Sequence, residues 1–119
     1  MPAPGDFYHR RMAGPIAGTG AAATLFTVDH NEQWRVMRIR VCNTTTSAQT
    51  FKLSINADAA GTRLYNGYSV AAGGVLDEQA LSIYDGHVIY SGETLEWNGP
   101  STLTITVSGV CELAVANPK

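Results

Sequence analysis

Histidines, cysteines and carboxylates are the side chains best suited to chemistry, and this sequence scatters them. The three histidines, His9, His30 and His87, lie far apart, and no HxH, HxxxH or CxxC spacing occurs. Because zinc sites and catalytic dyads need their groups close together, the spacing favours neither. Asp29 and Glu32 flank His30 and could bind a divalent ion, but this composition is equally typical of a polar turn. We therefore expect no catalytic residues, no cofactor and no metal.

The two cysteines, Cys42 and Cys111, both fall within strand-like patterns. A free cysteine in a strand usually behaves as a small apolar residue, so we expect two reduced and inert thiols. A disulfide between them would require neighbouring strands. That alternative predicts a small secreted β-domain.

Carboxylates and aromatic residues in the second half of the chain allow two further hypotheses. A glycosidase needs two carboxylates at a fixed separation, and we interpret those present as ordinary surface charges. They are Asp77, Glu78, Asp85, Glu93 and Glu96. Amphipathic rings could instead form a sugar-binding or partner-binding face, whereas the alternative places Trp97 and two tyrosines in the core. The aromatic candidates are Tyr65, Tyr68, Tyr84, Tyr90 and Trp97.

The composition bounds the class of protein. A chain of 119 residues fits one domain. Its formal net charge is -2, so there is no electrostatic argument for binding nucleic acid or an acidic membrane. Charged residues make up only 15% of the chain, which suits a protein that is packed among neighbours. No long apolar run or secretory signal is evident, so we expect synthesis in a cytoplasm.

Alternating apolar and polar residues predict an all-β fold. Residues 34–42 and 51–56 alternate strictly and are joined by a small polar loop, which predicts a hairpin. Residues 102–107 alternate in the same way, and residues 110–115 either continue this strand past a bulge or form another. The expected core positions are Met37, Ile39, Val41, Phe51, Leu53, Ile55, Leu103, Ile105 and Val107.

Shorter patterns complete the set of strands. Residues 24–28, 63–70, 88–90 and 94–97 also read as strands, and Asn66-Gly67 marks either a hairpin turn or a bulge. Residues 75–83 fit a helical turn or an irregular strand. Seven to nine short strands with frequent turns indicate an antiparallel β-sandwich, either jelly-roll or immunoglobulin-like.

The first 22 residues differ from the rest of the chain. Three prolines and four glycines make regular structure unlikely, so we predict an extended Pro/Gly-rich N-terminal arm over residues 1–22 and a β-sandwich domain over residues 23–116. Phe7 and Tyr8 could anchor the arm on a neighbouring subunit, and Arg10 and Arg11 could pair with its carboxylates. A disordered leader is the alternative.

From Ala23 to Val110, about three quarters of the chain, the order of strands and turns resembles small structural proteins of tailed bacteriophages. The segments that carry the resemblance are TLFTV, WRVMRIRVCNTTTSAQTFKLSI, ADAAGTRLYNGYSVAAGGVLDEQ and SGETLEWNGPSTLTITVSGV. The long arm departs from the simpler members, which start almost directly at the first strand.

The resemblance implies a β-sandwich without a catalytic site that assembles in several copies onto a virus particle. We therefore expect a non-enzymatic virion protein, tail- or neck-associated, whose partners are other copies of itself and other virion proteins, with no nucleic acid and no membrane. Capsid decoration is one alternative. A receptor- or carbohydrate-binding module that uses the aromatic loops is another.

Overall fold

The computed structural model describes residues 7–82 and 85–113, and strands dominate them. The nine strands are β1 (Phe7–Ala17), β2 (Ala22–Thr27), β3 (Glu32–Asn43), β4 (Gln49–Ile55), β5 (Arg63–Val70), β6 (Val75–Gln79), β7 (His87–Ile89), β8 (Thr94–Asn98) and β9 (Leu103–Leu113). A short 3-10 turn, Ala60–Thr62, leads into β5. In this described part of the chain, no helix has the length and apolar character needed to cross a membrane.

The strands form two antiparallel sheets packed face to face. Sheet A has the order β1-β9-β3-β6, and β7 also pairs with β3. Sheet B has the order β2-β8-β4-β5. Strand β6 pairs with residues 38–42 of β3 and β7 with residues 34–36. The two short strands therefore lie end to end along one edge and act as a single interrupted strand.

The pairing is nested, and it identifies the type of sandwich. Strand β1 pairs with β9, β2 with β8, β3 with β6 and β7, and β4 with β5. A long antiparallel ribbon wrapped over itself into two sheets produces this order, which is the jelly-roll arrangement. The predicted β-sandwich is confirmed, and of the two expected forms the chain adopts the jelly roll.

The core lies between the sheets and contains most of the predicted residues. Ile39, Val41, Phe51, Leu53, Leu103, Ile105 and Val107 are all buried. Ile55 is partly buried and packs against this cluster. The sequence pattern did not assign Trp34 to the core, yet it is only 1% exposed.

Met37 was predicted to be in the core, and this prediction is wrong. The register of β3 against β9 shifts between Val36 and Arg38, which leaves Met37 as an extra, bulged residue. The buried side chains are therefore at even positions before the bulge, Trp34 and Val36, and at odd positions after it, beginning with Ile39. A bulge inserts one residue without a partner and so reverses the alternation that follows it.

The predicted hairpin between β3 and β4 is also wrong, because these strands belong to different sheets. The connecting loop is organised by Asn43, which is 2% exposed. Its amide nitrogen donates to the carbonyl oxygens of Ser47, Val70 and Ala71 at 2.9, 3.0 and 3.1 Å. Alternation reports that one face of each strand is buried, but it does not report which strand lies alongside.

The register also determines the structure of three short segments. Asn66-Gly67 is a bulge within β5, since Phe51 pairs with Tyr68 and Lys52 with Asn66. Residues 75–79 form strand β6 rather than a helical turn.

Strand β9 continues through Gly109, where a Cβ atom would lie 2.0 Å from the carbonyl oxygen of Arg35. Glycine is therefore required there by the close approach of the neighbouring backbone.

The N-terminal region requires a further correction. Residues 7–17 are strand β1 at the edge of sheet A, so the prediction of irregular structure is wrong for them. Gly14 and Pro15 fall between the paired residues Ala13 and Ile16, where the register shifts. A proline is tolerated at such a bulge on an edge strand. Residues 1–6 of the predicted arm and 114–116 of the predicted domain lie outside the described residues.

Candidate functional site

The residues considered first for chemistry are separated by the fold. His9 lies on β1, His30 in the turn after β2, and His87 on β7. Within the described ranges, no group of three or more histidine, cysteine or carboxylate side chains could hold a metal ion.

The two cysteines are free, and the register keeps them apart. Cys42 pairs with Thr104, and Cys111 pairs with Trp34, eight residues away along the same strand, β3. At about 3.4 Å per residue this separation is roughly 27 Å, whereas a disulfide needs Cα atoms within about 7 Å. The alternative of a Cys42–Cys111 disulfide is therefore wrong. Burial raises the pKa of the Cys111 thiol to about 11.

One polar cluster that sequence reasoning missed joins the two sheets. The Tyr65 hydroxyl on β5 donates to Glu78 on β6, and the other oxygen of Glu78 lies 2.9 Å from Nε2 of His87. Burial and the hydrogen bond to Glu78 raise the pKa of Tyr65 well above its usual value. The cluster closes one side of the sandwich.

The aromatic residues divide between core and surface. Trp97 is buried, and Tyr65 packs against the core beside Phe51 with ring centroids 5.4 Å apart. Tyr68 and Tyr90 are exposed by 45% and 58%. Tyr84 lies outside the described residues. The exposed tyrosines are thus the two that remain available to a ligand or partner.

The four predicted arm-contact residues all lie on β1, but their surroundings differ. The Tyr8 hydroxyl donates to Glu32 at 3.0 Å. Arg10 lies over the ring of Trp34, 4.7 Å from its centroid, and 3.7 Å from Asp29. These two side chains are engaged within their own chain. Phe7 is 59% exposed, and Arg11 is exposed on the outer face of sheet A, so these two are free to reach a neighbour.

The outer face of sheet A carries an arginine groove, defined by Arg11, Arg38 and Arg40. Arg11 on β1 and Arg38 on β3 both pair with Ser108 of β9, which lies between them. Arg40 pairs with Thr106, two residues further along. Paired residues point to the same side of a sheet, so the three arginines surround a floor of two hydroxyl groups. The same residues, together with Pro15, line one open groove.

The charges of the arginine groove are only partly neutralised. Arg38 donates two hydrogen bonds to Asp77, at 2.9 and 2.8 Å, and these hold the pKa of Asp77 below its usual value. Within the described chain, Arg11 and Arg40 form no hydrogen bond or ion pair. The arginines at alternate positions 38 and 40 were a visible signal for the groove. The contribution of Arg11 was not visible, because it depends on the pairing of β1 with β9.

No protein-family model and no curated protein sequence matches the chain. The fold is similar to that of a chain in the structure of infectious bursal disease virus, Gx strain, with a TM-score of 0.54 at 12% sequence identity. The similarity covers 97% of this chain and 34% of that chain, so this chain spans about a third of the length of its structural neighbour. At such low identity the similarity concerns the fold alone, a β-sandwich.

Proposed function

We propose that the chain is a non-enzymatic structural component of a virus particle and that it assembles through contacts of its β-sandwich and its N-terminal strand. One observation carries this proposal: the fold of nearly the whole chain, whose strands follow a jelly-roll order, is similar to part of a chain in a virus structure. Jelly rolls serve as building blocks of viral capsids, although they also occur in lectins and enzymes.

The surface is consistent with assembly. Charged residues are few, and several large apolar side chains are exposed, among them Phe7 at 59%, Ile16 at 47% and Val75 at 48%. All three belong to strands of sheet A, two of them to the edge strand β1. A stable subunit contact needs roughly 1,000 Å² of buried surface, which a sheet face together with an edge strand can supply.

The finer proposal is a protein of a tailed bacteriophage, tail- or neck-associated, present as a homo-oligomer and without nucleic-acid or membrane contacts. The order of strand and turn segments between residues 23 and 110 supports the bacteriophage assignment. Capsid decoration remains the alternative within this class.

Particle composition tests the proposal directly. Virus particles are purified on a density gradient from a host that expresses the gene during infection, and their proteins are identified by mass spectrometry. We expect the chain in the particle band in several copies, and immunogold labelling at the tail or neck. Labelling over the head would favour decoration. Absence from the particle would refute the structural role.

The oligomeric state tests the role of strand β1. Deleting residues 1–21 would remove this strand from sheet A, so a point substitution is the better probe. We expect the full chain to be a defined oligomer by light scattering and Phe7→Ser to weaken it. Tyr90→Ser is the matched control, because Tyr90 is an equally exposed aromatic residue outside β1. Equal effects of the two substitutions would contradict a contact specific to β1.

A second candidate is a receptor- or carbohydrate-binding module. The observation in its favour is the exposed ring of Tyr68, which lines an open groove together with Ser69 and Asp77. Aromatic rings beside polar groups are suited to sugars. This candidate predicts that the isolated protein binds host cell envelopes and that Tyr68→Ala removes this binding.

A further inference from the structure

All acidic side chains in the described part of the chain have partners within it, whereas three arginine or lysine side chains have no hydrogen bond or ion pair there. Each of the nine described carboxylates accepts a hydrogen bond or forms an ion pair within the chain. They are Asp29, Glu32, Asp58, Asp77, Glu78, Asp85, Glu93, Glu96 and Glu112. By contrast, Arg11, Arg40 and Lys52 form no hydrogen bond or ion pair with the described residues. Two of these three cations, Arg11 and Arg40, lie in the arginine groove. Arg40 is opposite Asp77 in the pairing of β3 with β6 and contributes to the lowered pKa of Asp77, although Asp77 accepts its hydrogen bonds from Arg38.

We propose that the arginine groove is a docking site for an acidic, extended segment of a different virion protein. This inference rests on the proposed structural role and names the chemistry of the partner. Guanidinium groups match the planar geometry of carboxylates and bind them with two parallel hydrogen bonds. The pairing of Arg38 with Asp77 is an example of this geometry within the groove itself.

The spacing of the groove fits an extended chain. Arg38 and Arg40 are two residues apart on one strand, so their backbones are separated by about 7 Å. Carboxylates at alternate positions of an extended segment have the same spacing. Arg11, on the far side of Ser108, is two strand spacings from Arg38, which is roughly 10 Å. Carboxylates at alternate positions of a bound segment can therefore contact Arg38 and Arg40 on one side of the groove and Arg11 on the other.

The surroundings favour a polypeptide over a nucleic acid. The next row of the outer face contains Ala17, Thr104, Cys42 and Val75, which are small or apolar side chains suited to a protein contact. Among the described residues, no aromatic ring lines the groove, so they offer no platform on which bases could stack. The formal net charge of -2 gives no electrostatic argument for binding a long nucleic acid, whereas a short acidic segment needs only the local charges of the groove. A second copy of the chain is disfavoured because its described residues contain no two carboxylates at alternate positions of a strand.

Peptide binding tests the proposal. The probe is a fluorescein-labelled hexapeptide of alternating glutamate and glycine, titrated with the full chain at low ionic strength and followed by fluorescence anisotropy. We expect Arg40→Gln and Arg11→Gln each to weaken binding by about fivefold, the effect of one exposed charge pair. Lys52→Gln is the matched control, since it removes the same charge from sheet B, and it should leave the affinity unchanged.

Several results would overturn the proposal. The proposal is wrong if the glutamate peptide does not bind, or if Lys52→Gln weakens binding as much as the arginine substitutions do. It is also wrong if an oligothymidylate of equal charge binds more tightly than the peptide. A change of oligomeric mass in Arg40→Gln would point instead to a second copy of the chain. Particle composition separates this inference from the proposed function. A chain present in particles that fails to bind the peptide retains its structural role and loses the groove. If the chain binds the peptide but is absent from particles, the arginine groove is a site for acidic peptides and the proposed virion partner is wrong.

Discussion

Replacing Asn43 by aspartate tests whether the loop between the two sheets depends on a buried donor. The amide nitrogen of Asn43 lies within 3.1 Å of three carbonyl oxygens, and its side-chain oxygen accepts from the backbone nitrogen of Thr45 at 3.0 Å. Asn43→Asp preserves the shape but turns an acceptor oxygen toward those carbonyls. The carboxylate keeps its hydrogen bonds from Thr45 but has no cationic partner, and such a buried charge costs about 3–5 kcal/mol in the free energy of unfolding at pH 7.

The loss of stability caused by Asn43→Asp should depend on pH. Burial beside three carbonyl oxygens raises the pKa of the introduced carboxyl above its value in the unfolded chain. The deficit relative to the natural chain is therefore smallest below about pH 3.9, where the group is protonated in both states. It grows as the pH rises from there toward the folded-state pKa. Protonation also restores one donor to the site.

Urea unfolding of both proteins at pH 7 and pH 4 measures this dependence. Asn43→Ala is the matched control: it removes the amide donor from the same carbonyls, costs about 1–3 kcal/mol, and adds no titrating group. The cost is limited because the carbonyl oxygen of Ser47 still accepts from the Thr45 hydroxyl and that of Ala71 from the Gly74 backbone nitrogen. The reasoning is refuted if Asn43→Asp is as stable as the natural chain at pH 7. It is also refuted if its deficit is the same at both pH values.

Three further predictions concern the core, a close backbone approach and the thiols. Phe51→Ala, at a position 1% exposed, should lower the free energy of unfolding by roughly 3–5 kcal/mol in urea titrations, and a loss below about 1 kcal/mol would remove Phe51 from the core. Gly109→Ala should cost about 3 kcal/mol or more, because the added methyl group overlaps the Arg35 carbonyl, and an unchanged melting temperature would contradict the pairing of β9 with β3. Iodoacetamide at about pH 8 should modify the half-buried Cys42 and spare Cys111 until the chain unfolds, as peptide mass spectrometry would reveal.

The sequence predicted which segments form strands better than it predicted which strands lie beside each other. The alternation around Ile39, Phe51 and Ile105 correctly indicated strands with one buried face. It could not indicate that β3 and β4 belong to different sheets, because burial on one face is the same whichever strand lies alongside. Met37 was misplaced for a related reason, since a bulge depends on the register between two strands.

The same limit applies to the candidate site. The sequence predicted Phe7, Tyr8, Arg10 and Arg11 as the contacts of an extended arm. The prediction of an arm did not include the pairing of β1 with sheet A or the position of Arg10 over Trp34. The contact of these residues with other subunits stays a prediction.

The nested pairing also imposes an order of events during synthesis. Strand β1 is made first, but its partner β9 follows about a hundred residues later. At roughly 5–20 residues per second, the ribosome delivers that partner about 5–20 seconds after β1. Contacts between residues so distant in the chain also close slowly. Throughout this interval β1 has both edges free, and the interruptions at Gly14 and Pro15 hinder its pairing with a neighbouring nascent chain. Features that look like irregularities in the finished sheet thus protect the chain before the sheet exists.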